Sequence, residues 1–209
     1  MSPRKAAISD LFAIVVAAVA WPALLLQYWL MFWSASPGVV TVRFFSYFTI
    51  LSNVLVALVA AAAATGGNWK PLRGLRRPAV RGLAALCIAV TCLVYATVLQ
   101  GQWHPLGPQL VADRVLHYVV PVLYLAWWVF LLPHGELAWR DAARWLLFPF
   151  AFCLWTFARG SVVHEYPYPF MDVDRLGYPA VLLNSCIVGA LFLVLGAGLV
   201  AIDRALRNR

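Results

Sequence analysis

Six apolar runs decide what this chain can fold into. A bilayer core about 30 Å thick is crossed by a helix of roughly 18 or more apolar residues. Runs on that scale occupy Leu11 to Trp33, Phe44 to Ala64, Val80 to Gln100, Val115 to Leu132 and Tyr178 to Ile202. A further run, Trp145 to Ala158, is short and interrupted by Pro149, but it reaches span length when carried out to Ala142 and Arg159. Arg159 is a long basic residue whose head can snorkel to the interface. Only 11% of the 209 residues are charged and 64% are hydrophobic, against roughly 25% charged in soluble domains. The expected fold is therefore all-α and polytopic, with spans near 11–33, 44–64, 80–100, 115–132, 142–159 and 178–202. Residues 1–209 are expected to form a single integral-membrane domain, a six-transmembrane-helix bundle without a linker or an internal repeat.

The first run is too long for a signal-peptide core, and no small-residue cleavage site precedes the loop Ser34 to Pro37, so it is expected to persist as a span. Gly66, Gly67 and Pro71 separate the second run from the third. Gly101 to Pro108 separate the third from the fourth, and Pro133 with Gly135 end the fourth.

The net charge of +8 matters through its distribution. Six crossings place Arg4, Lys5, Lys70, Arg73, Arg76, Arg77, Arg81, Arg140, Arg144, Arg204, Arg207 and Arg209 on one side. The other side holds Arg43, Arg114, Arg159 and Arg175. Positive short loops mark the cytoplasmic face, so both termini are expected in the cytoplasm of a cell whose inner membrane holds the chain. The basic loop Lys70 to Arg81 then meets anionic headgroups rather than nucleic acid.

Cys87, Cys92, Cys153 and Cys186 all fall inside apolar runs and lack zinc-type spacing. They are expected to pack as small buried hydrophobes, with no structural metal and no cofactor. The connection Gly160 to Gly177 is rich in aromatics and proline. It fits an ordered cap over the outer mouth of the bundle or a simple interfacial turn.

Polar side chains inside the spans are where chemistry is expected. Ser46, Thr49 and Asn53 recur at helical spacing in the second run, and Arg114, His117, Pro121, Tyr124 and Trp128 do so in the fourth, with Tyr118 beside that edge. Taken alone, such stripes fit hydrogen bonds between packed helices. Depth argues for more. With six spans, the second and fourth helices both start on the outer side, and a rise of 1.5 Å per residue puts Thr49 roughly 8 Å and His117 roughly 5 Å below their starts. Asn184 at roughly 9 Å on the last helix, and Tyr95 near the end of the third, enter from the same side.

A hydroxyl beside an imidazole is the pairing of a nucleophile with its base. Thr49 would attack an ester carbonyl and His117 would take its proton. Asn53, Asn184 or a tyrosine hydroxyl would donate to the developing oxyanion, with Ser46, Tyr95, Tyr118 and Tyr124 as further substrate-binding or oxyanion-supporting candidates. Asp113 is close in sequence but is expected to point elsewhere on its helix, which leaves a dyad rather than a triad.

The segments Phe45-Ser-Tyr-Phe-Thr-Ile-Leu-Ser-Asn53, Leu116-His-Tyr-Val-Val-Pro121 and Tyr168-Pro-Phe-Met-Asp-Val173, followed by Leu176-Gly-Tyr178 and Asn184, resemble the bacterial branch of the androgen-induced, FAR-type six-transmembrane proteins. Animal members of that family are membrane threonine hydrolases that cleave fatty acid esters of hydroxy fatty acids. The resemblance implies Thr49 as nucleophile, His117 as base and a membrane lipid as substrate. A transporter or channel, a haem protein and a non-enzymatic membrane scaffold are the competing classes. The inner halves of most segments are Ala, Val and Leu, which disfavours a solute path, and only His117 among the histidines lies within a span.

Overall fold

The computed structural model describes residues 2–65 and 70–208, with the side chains of residues 70 and 71 left aside. The expected helix break at Gly66 and Gly67 lies outside the described residues. The chain is an all-α polytopic membrane protein, and among the described residues no strand occurs. Five helical spans are long and apolar enough to cross a bilayer, or six if one sharply bent helix pair counts as a single span. Large apolar side chains such as Leu25, Val122, Phe130, Leu147 and Val194 are well exposed, as suits a surface solvated by lipid.

Contacts divide the chain into two compact units, Met1–Leu137 with Asp203–Arg209, and Ala138–Ile202. In the first unit, helix α1 spans Pro3–Phe32, capped by Ser2, whose hydroxyl accepts from the Lys5 N–H at 3.3 Å. Its buried stripe of Ser9, Ala13, Val16, Ala20 and Ala23 recurs every three or four residues. Helix α3, Phe48–Ala64, buries Val56, Ala57, Ala60 and Ala63, and α1 and α3 pack together extensively. Small side chains on both helices let the backbones approach, which is how helices associate where no hydrophobic drive exists between them.

Helix α2, Pro37–Phe45, precedes α3, and the pair is bent by 80°. The expected span 44–64 is thus not one straight helix. Ser46 turns its hydroxyl back onto the Val42 carbonyl at 2.7 Å, and Tyr47 is extended. A side-chain bond of this kind competes with the helical ladder, and neither glycine nor proline marks the break in the sequence. Ser46 accordingly does not share a helical face with Thr49.

Helix α4, Pro78–Val94, runs on through a π turn at Tyr95–Leu99 and a 3₁₀ turn to Gln102. Helix α5, Pro108–Arg114, passes through a second π turn at Val115–Val119 into α6, Val120–Leu131. That span begins seven residues before the expected start at residue 115. Beyond it, Gly135 adopts a φ of 94°, and a Cβ there would sit 2.5 Å from the Arg207 side chain. Close by, His134 Nδ1 lies 3.1 Å from Asp203 Oδ1, and Asp203 Oδ2 accepts from the Leu137 N–H at 2.9 Å. This buried pair ties the C-terminal end of the chain to the turn after α6.

The second unit contains α7, Trp139–Trp145, α8, Leu147–Val163, and most of α9, Val173–Ala205. Gly177, with φ 75°, kinks α9 near its start. The connection between α8 and α9 is ordered. Arg159 donates to Glu165 Oε2 at 2.6 Å, and Asn184 donates to the Phe170 carbonyl at 2.9 Å. Tyr166 lies over Gly160 so closely that a Cβ would fall 2.1 Å from its ring. Of the cysteines, all free, only Cys87 is buried, and Cys186 is exposed on α9. The expectation of four buried cysteines fails there because α9 turns that apolar face outward.

Candidate active site

Thr49 is the second residue of α3, immediately after the bend. It does not lie roughly 8 Å into a helix, as a continuous 44–64 span requires; the helix begins beside it. Helix N-termini carry a partial positive charge. The hydroxyl therefore stands where a negative charge developing next to it is favoured.

His117 comes from the π turn between α5 and α6. Its Nε2 lies 3.2 Å from Thr49 Oγ1. On the opposite edge of the ring, Nδ1 meets the Asp113 backbone carbonyl at 2.9 Å and the Asp113 Oδ1 carboxylate oxygen at 3.3 Å. Both groups are acceptors, so Nδ1 carries a proton, and in the neutral ring Nε2 then presents its lone pair to the threonine. This is the arrangement that proton abstraction from Thr49 requires.

Asp113 therefore points at His117, contrary to the sequence expectation. The two residues are four apart, one helical turn, which brings their side chains onto one face. The carboxylate is 4% exposed, and burying such a charge is costly without hydrogen-bond donors. Three donors surround it. Tyr95 donates its hydroxyl to Oδ2, Trp103 donates its indole N–H to Oδ1 at 3.3 Å, and the His117 ring completes the set. The Tyr95 ring also stacks on the imidazole, with centroids 3.8 Å apart and planes 16° apart. Carboxylate and stacked ring together fix both the tautomer and the plane of His117.

Asn53, fully buried, directs its amide N–H groups to the Thr49 carbonyl at 2.8 Å and to the Leu116 carbonyl at 3.1 Å. Those donors are spent on backbone, so Asn53 is not an oxyanion donor. Tyr95 likewise gives its hydroxyl to Asp113 rather than to a substrate. Tyr118 donates to Gln100 Oε1 and meets the Tyr95 ring edge-on, which places it behind Tyr95. Tyr124 is seven residues beyond His117, about 10 Å along the helix, and donates to the Arg81 carbonyl at 3.0 Å. It is not part of the site, because periodicity places residues on a face but not at a depth. Ser46 bonds back to Val42 of α2, and Asn184 bonds to Phe170 within the second unit.

Asp113 was visible in the sequence as the residue one turn before His117. Trp103 carried no such signal, since it belongs to the loop between spans and reaches Asp113 only through the folded path of the chain. Comparison with known protein families, with curated proteins and with solved structures finds no match.

Proposed function

We propose that the protein is an intramembrane lipid ester hydrolase with Thr49 as nucleophile, His117 as general base and Asp113 as the group that orients the base. The observation that carries this reading is the 3.2 Å approach of Thr49 Oγ1 to His117 Nε2, with acceptors alone behind the opposite ring nitrogen. Threonine is a weak nucleophile until an adjacent base takes its proton.

In the first half-reaction Oγ1 bonds to the ester carbonyl carbon while its proton passes to Nε2. Asp113 stabilises the resulting imidazolium. Collapse of the tetrahedral intermediate expels the alkoxide, which leaves as the alcohol with the proton from Nε2, and acyl-Thr49 remains. Water then gives a proton to Nε2 and its oxygen to the acyl carbon, after which the acyl carbon–Oγ1 bond breaks and Oγ1 takes the proton from Nε2, releasing the fatty acid and regenerating the threonine and the neutral imidazole.

The apolar character of the spans supports a substrate that arrives from the bilayer. The motif resemblance to the androgen-induced, FAR-type proteins favours fatty acid esters of hydroxy fatty acids or related lipid esters. The resemblance favours the inner membrane of a bacterium, and the charge distribution favours six crossings, with the bent α2 and α3 pair as one of them, and both termini in the cytoplasm. Purified protein in detergent is expected to hydrolyse such an ester, with turnover lost in Thr49→Ala and His117→Ala. Equal turnover in the wild type and both folded variants contradicts the proposal.

A further inference from the structure

The backbone carbonyl of Leu116 has lost both of its helical partners. In an α register it would accept from Val120, but the Val120 N–H goes to the Val115 carbonyl. In a π register it would accept from residue 121, which is proline and has no N–H. Buried carbonyls are almost always paired, and here the partner is a side chain. Asn53 donates to Leu116 O at 3.1 Å and, with the same nitrogen, to Thr49 O at 2.8 Å.

These two carbonyls belong to the proposed nucleophile itself and to the residue just before the proposed base. One buried amide thus spans the reacting pair from behind. Its orientation is fixed, because a flipped amide would set its oxygen against two carbonyl oxygens. Asn53 Oδ1 has no partner among the described residues, an expense that an apolar side chain of similar size would avoid. The π turn supplies the remaining element, since an extra residue in one turn re-aims the side chains on it, and such turns recur at functional sites.

We infer that Asn53 and Pro121 form a register lock that aims His117 Nε2 at Thr49 Oγ1: the proline frees the Leu116 carbonyl, and Asn53 uses it to fix α3 against the π turn. Both are positioning residues. Neither touches the reacting atoms.

The test uses the full chain in detergent micelles with ¹⁵N-labelled histidine. It reads the His117 ring resonances, assigned by their loss in His117→Ala, alongside the rate of labelling by a fluorophosphonate. Asn53→Leu is expected to move the His117 resonances away from the Nδ1–H pattern and to slow labelling by about 10-fold or more. Pro121→Ala gives residue 121 an N–H that competes for Leu116 O, so the same resonances shift with a smaller loss of labelling. A purely stabilising role would lower the melting temperature and leave the His117 resonances of the folded protein in place, which overturns the inference. Should Asn53→Leu not fold, Pro121→Ala decides alone, since alanine suits a helix interior. Labelling presupposes the hydrolase reading, whereas the resonances do not. A wild type that is never labelled therefore counts against the hydrolase and leaves the lock to be decided by the spectrum.

Discussion

Thr49 Oγ1 and His117 Nε2 lie 3.2 Å apart although 68 positions separate them in the chain. Two local departures from regular helix stand at this meeting point. An 80° bend places Thr49 in the first turn of α3, and a π turn carries His117.

If the pair is a nucleophile and its base, removing either member removes the chemistry. Thr49→Ala and His117→Ala are each expected to lower ester turnover by about 10³-fold or more, with the helical circular dichroism signal unchanged. Thr49→Ser keeps the hydroxyl and is expected to retain measurable turnover. Activity in serine but not alanine variants separates nucleophile from packing residue.

Asp113→Asn replaces the carboxylate with an amide of the same shape and disturbs the tautomer of His117. Turnover is expected to fall by about 10²- to 10⁴-fold, with KM for the ester little changed. Tyr95→Phe removes one of the three donors to the carboxylate, and a hydrogen bond to a charged group contributes about 1.5–3 kcal/mol. A lower melting temperature together with slower turnover is expected, and thermal unfolding with an ester assay on the same sample measures both.

Much of the fold was legible in the sequence, because the spans depend only on where long apolar runs lie along the chain. The pairing of Thr49 with His117 was legible as a shared end of two helices. The route to it was not. The sequence around Ser46 and Tyr47 holds neither glycine nor proline, so the bend depends on a side-chain bond from Ser46 to Val42 and on tertiary packing that periodicity does not encode. The π turn at Val115–Val119 likewise follows from where Leu116, Pro121 and Asn53 meet. Tyr124 was misplaced for the complementary reason, since it shares a face with His117 but sits two turns away.

His134 and Asp203 make a second histidine and carboxylate pair, with side chains 5% and 4% exposed. Among the described residues no nucleophile takes part in it; Asp203 serves the Leu137 N–H, and His134 Nε2 lies 3.1 Å from the Val129 carbonyl. Asp203→Ala strands both buried groups and is expected to cost about 3 kcal/mol of stability. Turnover per folded molecule is expected to stay at the wild-type level. A large loss of turnover at full stability contradicts this division of labour.

Topology offers a check on the bent helix pair. If α2 and α3 cross as one span, the number of crossings is even and both termini lie on one side, which the proposed charge-based orientation makes the cytoplasm. Fluorescent reporters fused at either terminus are expected to be active in the cytoplasm, and an alkaline phosphatase inserted after Trp103 to be active outside. Termini on opposite sides would show that the pair does not cross.

If Thr49 forms the covalent bond, a long-chain fluorophosphonate incubated with the purified protein marks it, and mass spectrometry locates the adduct. A single stoichiometric phosphonyl group is expected on Thr49, absent in Thr49→Ala and strongly reduced in His117→Ala. An adduct on another residue, or undiminished labelling of folded Thr49→Ala, rules out Thr49 as the nucleophile.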